Sequence, residues 1–138
     1  MAITYSGNMP LTVEQFIDVL QRSGLAERRP VGDRNTMQGM VENTNLLITA
    51  WSDATLVGMA RSMTDFHYAC YTSELAVATD YQHQGIGTEL LRQTRATLGP
   101  RCKLLLVSAP AANDYYPKLG FVQNNRTWVL PHDAELKE

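Results

Sequence analysis

Residues 80–91 read DYQHQGIGTELL, from Asp80 to Leu91. Gly85 and Gly87 stand one residue apart, after a strand-like run, Leu75-Ala76-Val77, and before Ile86, Leu90, Leu91 and Leu98, which recur at helical spacing. A chain that leaves a strand through glycines and enters a helix gathers free backbone N–H groups and the positive end of a helix dipole, which suits an anion. Glycine spacing alone fits a tight turn without a ligand equally well. Two better-known phosphate loops are excluded. A dinucleotide fingerprint needs a third glycine where Leu90 stands, and a P-loop needs a Gly-Lys-Ser/Thr ending that is absent.

Outward from this stretch the periodicity alternates between helix and strand. On the N-terminal side, 3–5 suits a short strand. Thr12 and Gln15 form a capping box for a helix whose apolar positions are Val13, Phe16, Ile17 and Leu20 and whose end is Gly24. Asp33 can cap a second helix carrying Met37, Met40 and Val41. Residues 46–51, 56–63 and 69–77 then read as three strands joined by short turns, an antiparallel meander. On the C-terminal side the central helix closes at Gly99-Pro100, and 103–108 predicts an apolar strand buried on both faces. A short helix over 111–119 stops at Gly120, and 121–122 and 127–130 predict final strands. The order gives an α+β fold around one mixed sheet, and the length of 138 residues suits a single domain over 1–138.

Composition narrows the function classes. The net charge is -2 and the only basic pair is Arg28-Arg29, which excludes a nucleic-acid surface as the main role. No apolar run reaches the ~20 residues of a membrane helix. The first residues lack a signal peptide's pattern, so the expected location is cytoplasmic. Cys70 and Cys102 read as buried free thiols, and His67 and His132 have no companions at metal spacing, so no metal is expected.

Two motifs then combine. Gln82-His83-Gln84-Gly85-Ile86-Gly87 resembles the Q/R-x-x-G-x-G/A motif of the GNAT (Gcn5-related) N-acetyltransferases. Ala112-Asn113-Asp114-Tyr115-Tyr116-Pro117-Lys118-Leu119-Gly120-Phe121 resembles that family's second signature, one helix and one strand further on. The resemblance extends to the order of elements over nearly the whole chain. It implies a mostly antiparallel mixed sheet flanked by helices, with two parallel central strands splayed apart to admit acetyl-CoA, the co-substrate.

It further implies that the backbone of Leu75, Ala76 and Val77 pairs with the pantetheine arm, and that Gln82, His83, Gln84, Gly85, Ile86, Gly87 and Thr88 hold the pyrophosphate. Thr88 could instead cap its helix. Asn113 would touch the pantetheine, the alternative being a polar residue at a helix end. The reaction implied is direct attack of an amine on the thioester, with no protein nucleophile. Tyr116 matches the family's general acid, the alternative being a core aromatic like Tyr115. Glu74 is the candidate general base, the alternative being a half-exposed strand residue paired to a neighbour. Pro117, His83 and Gln84 depart from residues common in the family.

The acceptor would lie among Arg28, Arg29, Phe66, His67, Tyr68, Tyr71, Glu74 and Trp128, with Phe66, Tyr68, Tyr71 and Glu74 as the binding set. A small-molecule amine is the first expectation, a protein or peptide amine the second, and a non-catalytic acetyl-CoA sensor the third. Pairing into a homodimer stays open.

Overall fold

In the computed structural model, which describes residues 2–137, the capping box forms as expected. The Gln15 N–H donates to Thr12 Oγ1 at 3.1 Å and the Thr12 N–H to Gln15 Oε1 at 2.9 Å, starting helix α1 (Val13–Ser23). Asp33 caps α2 (Arg34–Glu42) by accepting from the Thr36 N–H at 3.2 Å. Strand β1 (Ile3–Gly7) precedes them, and β2 (Leu46–Ser52), β3 (Thr55–Thr64) and β4 (Ala69–Val77) form the meander. Helix α3 (Ile86–Ala96), β5 (Lys103–Leu105) and α4 (Tyr115–Lys118) complete the order. The five strands lie in one sheet in sequence order, antiparallel except for the β4–β5 pair, which is parallel.

Each face of the sheet carries its own core. On one, α1 and α2 pack Phe16, Val19, Leu20 and Met37 against Leu47, Met59 and Ala76. On the other, α3 packs Ile86 and Leu90 against Ile48, Ala50, Val57, Ala60 and Cys70. Cys70 and Ala76 lie an even number of residues apart on β4 yet face opposite cores, which an unbroken strand forbids. The register supplies the reason. Arg61 pairs with Glu74 and Ser62 with Thr72, so Ser73 is an extra, bulged residue. The bulge turns Glu74 onto the face of α1 and α2.

The last third departs from the sequence reading. The strand predicted over 103–108 ends at Leu105, with Lys103 and Leu105 exposed rather than buried on both faces. It is an edge strand, because the final strands predicted at 121–122 and 127–130 do not form. Strand propensity reflects the fit to a half-buried surface, and these short runs, separated by polar 123–126, find none. Val122 is 89% exposed and Trp128 89%. The helix predicted over 111–119 divides into a 3-10 turn, Pro110–Ala112, and α4. A continuous helix would put Pro117 in its interior against the Asn113 carbonyl, whereas the first turn of α4 tolerates it. Among the described residues no helix is long and apolar enough to cross a membrane.

Candidate active site

The glycine stretch forms the entrance to α3. Gly85 is its N-cap with φ +84°, and no side chain caps the helix. The first helical bond runs from the Glu89 N–H to the Gly85 carbonyl at 3.0 Å, so the N–H groups of Ile86, Gly87 and Thr88 have no helical acceptor. The two glycines serve different ends. A Cβ on Gly85 would meet nothing within 4 Å, so glycine is needed there for its left-handed backbone. A Cβ on Gly87 would come within 3.2 Å of the Tyr115 hydroxyl, a close approach. His83, also left-handed with φ +63°, bends the loop before them. Gln82 fixes the loop to the sheet by donating from Nε2 to the Val77 carbonyl at 2.9 Å.

Thr88 does not cap its own helix. Its hydroxyl meets that of Tyr115 at 2.8 Å, which joins α4 to the start of α3. Tyr115, which reads as a core aromatic in the sequence, is thus brought to the glycine loop. No sequence signal distinguishes it from Tyr116 in this respect, since the contact spans two elements.

Beyond the loop the sheet opens. Strand β5 pairs with β4 only from Ala69 to Tyr71, so among the described residues the backbone edge of β4 from Thr72 to Val77 has no strand on that side. A cavity of about 450 Å³ fills the gap. Tyr71, Glu74 and Leu75 line it from β4, Leu106 and Ser108 from beyond β5, and Tyr116 from α4. A smaller cleft of about 280 Å³ beside Phe16 and Val41 touches neither the splayed strands nor Tyr116.

The Tyr116 ring is held edge-on by Tyr115 and Phe121, with centroids 5.2 and 5.4 Å away. Burial first, and the neighbouring Tyr115 second, push its phenol above the ordinary value. It therefore stays protonated at neutral pH, as a proton donor must. Asn113, at the end of the 3-10 turn, accepts a hydrogen bond from the Ser108 hydroxyl at 3.0 Å.

Glu74 is 1% exposed and fully engaged. Its Oε1 accepts from Arg61 Nε at 2.5 Å, and its Oε2 from Arg29 Nε at 2.7 Å and the Ser73 hydroxyl at 2.9 Å. Arg61 is itself buried, donating to the Met40 carbonyl at 3.0 Å beside the Phe16 ring. Both arginines escaped the sequence reading as partners of Glu74. A charged residue in the middle of the apolar run 56–63 was the available signal for Arg61, since a buried guanidinium requires a carboxylate.

The expected acceptor residues separate. Tyr71, Glu74, Arg28 and Arg29 line the cavity. Phe66 and Tyr68 do not. They lie in the β3–β4 turn, where Phe66 packs against the α3 core and Lys103 Nζ stands 3.6 Å over the Tyr68 ring. Trp128 is likewise outside the lining, although its neighbour Val129 belongs to it.

Residues 43–123, more than half of the chain, match the family model described as an acetyltransferase (GNAT) domain. No curated protein sequence matches. Among solved structures, a GNAT family acetyltransferase from Streptococcus pneumoniae superposes with a TM-score of 0.73 at 18% identity, over 94% of this chain and 98% of that one. An aminoglycoside N-acetyltransferase in complex with CoA gives 0.71 at 13% identity, over 96% of each chain. An aminoglycoside acetyltransferase from an uncultured soil metagenomic sample, in complex with sisomicin, gives 0.62 at 16% identity, over 99% and 97%.

Proposed function

Because the chain belongs to the GNAT acetyltransferase family, we propose that it transfers the acetyl group of acetyl-CoA to the amine of a small molecule. The observation that carries this reading is the open edge of β4, which lets a cavity lined by Tyr116 lie beside the parallel pair. The residues present fit the donor molecule. The free β4 edge offers backbone partners to a pantetheine arm at Leu75, Ala76 and Val77, although the Val77 carbonyl already receives Gln82. The uncapped start of α3, with the loop from Gln82 to Thr88, offers donors to a pyrophosphate. Tyr115 adds a hydroxyl there, and Asn113 stands beside the same cavity wall through Ser108.

Bound acetyl-CoA supplies the thioester whose carbonyl carbon the acceptor nitrogen attacks. Tyr116, kept protonated, hands its proton to the departing sulfur. Free N–H groups on the β4 edge stabilise the oxyanion. Glu74 suits a different task from base. Both of its oxygens are already taken by Arg61, Arg29 and the Ser73 hydroxyl, so neither is left open toward the acceptor's amine. Its role in this reading is to hold Arg29, while the ammonium proton leaves through the open mouth of the cavity to solvent.

The test is a panel of amines assayed for CoA release, with two variants. Tyr116→Phe keeps the ring and its packing, so acetyl-CoA affinity should hold while turnover falls, at or below the low end of the ~10²–10⁴ typical of a positioned acid. Gly87→Glu should abolish acetyl-CoA binding in calorimetry while the fold survives, by like charge and by displacing Tyr115. Unchanged affinity in a folded Gly87→Glu protein moves the donor site elsewhere, and unchanged turnover in Tyr116→Phe returns Tyr116 to the core.

A further inference from the structure

The charges around the cavity are unbalanced. Arg28 and Arg29 line it, and among the described residues Glu74 is the only carboxylate that does. That one negative charge is already shared between Arg29 and the buried Arg61. Glu27, next to Arg28 in the 3-10 turn Leu25–Arg28, is not part of the lining. The Arg28 side chain is exposed and has no hydrogen-bond or ion-pair partner among the described residues.

Arg29 differs from a mobile surface cation. Its Nε binds Glu74, its Nη1 donates to the Arg28 carbonyl at 2.9 Å and its Nη2 to the Ser73 carbonyl at 2.7 Å. Three of a guanidinium's five donors are thereby committed, and the rest face no described acceptor. With its side chain 20% exposed, Arg29 is a fixed, partly desolvated cation at the cavity wall. Such a group is preorganised to take a planar anion, at little further cost in side-chain entropy.

These arginines cannot serve the donor's pyrophosphate. The turn that carries them packs Leu25 and Ala26 into the core of α1, whereas the glycine loop opens α3 on the opposite face of the sheet. Their field therefore acts on the acceptor. We infer that the acceptor is an amine that also bears a carboxylate, an amino-acid-like zwitterion, whose carboxylate is held by Arg28 and Arg29 while its amine faces the thioester. The inference rests on the acetyltransferase reading and narrows its substrate class. A polycation such as an aminoglycoside would meet like charge at this wall and no free carboxylate.

The experiment compares matched acceptors: an amino carboxylate, the same amine with its carboxylate as an amide, the same amine without it, an amino phosphate and an aminoglycoside. The wild-type protein should favour the amino carboxylate in kcat/KM by about tenfold to a hundredfold over the amide, the scale of a charge-assisted contact. Arg28→Gln should erase most of that preference through KM, and Arg28→Glu should turn it toward cationic amines, with acetyl-CoA affinity unchanged in both. Equal use of amide and carboxylate, a preference for the amino phosphate or the aminoglycoside, or a preference that survives Arg28→Glu overturns the inference while acetyl transfer stands. Weakened acetyl-CoA affinity in Arg28→Gln overturns it in favour of a donor-side role. Absence of transfer to every amine removes the parent reading as well.

Discussion

Glu74 shows how far a single residue's role depends on what folds around it. Next to Leu75-Ala76-Val77 it reads as a base, and it does stand at the cavity. Its partners change the chemistry it can do, since Arg61 and Arg29 occupy both oxygens. Neutralising it by Glu74→Gln leaves the Arg61 guanidinium buried without a counter-charge, and breaking a buried pair in this way costs about 3–5 kcal/mol. The expected outcome is a clear drop in thermal midpoint, together with a loss of activity that is similar at every pH where the variant stays folded. Rate profiles on the folded variant check it. Activity that recovers as pH rises, when more of the amine is already neutral, would restore Glu74 as the base.

At the scale of elements, the turn between β3 and β4 is organised by one carboxylate. Asp65 Oδ1 accepts from the N–H groups of Tyr68, Ala69 and His67 at 2.8, 3.1 and 3.0 Å. Those bonds, led by the one from Tyr68, hold its carboxyl down to about 2. The folded value lies below the ~3.9 of an unconstrained aspartate, so the stabilisation is complete above that range and fades as pH falls toward about 2. Asp65→Asn keeps an acceptor but not the charge. Its deficit in thermal midpoint should be constant near neutrality and vanish by about pH 2, and a deficit independent of pH would deny the carboxylate this role. The same turn marks where the sequence could be read and where it could not. The capping box at Thr12, the Asp33 cap and the three meander strands rest on local periodicity and local hydrogen bonds, and they appear within a residue or two of the reading. The bulge at Ser73, the Arg29–Glu74–Arg61 cluster and the Thr88–Tyr115 contact join distant segments, which no window of sequence contains. In the sequence Phe66 and Tyr68 point toward the acceptor only because aromatic residues suit either a pocket or a core. The turn lies at the end where β4 and β5 still pair, outside the cavity lining, with Phe66 packed on the α3 core and Tyr68 exposed.

Over the whole molecule, the apolar content is unevenly covered. The meander and its three long helices bury two cores, whereas Val107, Val122, Trp128, Val129 and Leu130 stand 58–89% exposed along the last third. This stretch reaches the cavity proposed for acetyl transfer, because Val129 lines it together with Tyr116 and Arg29. A ligand that reaches Val129 covers part of the tail, and Trp128 adjoins that residue. The two tryptophans make this measurable. Trp51 is half-buried, with its indole N–H donated to the Thr49 hydroxyl at 2.8 Å, whereas Trp128 is 89% exposed. In a Trp51→Phe protein the remaining fluorescence should be that of water-exposed indole and strongly quenched by acrylamide. Adding CoA with an acceptor should reduce the quenching in step with cavity occupancy. Quenching that ignores ligand would detach the tail from the site. Quenching that instead falls as protein concentration rises would place Trp128 against a second copy of the chain.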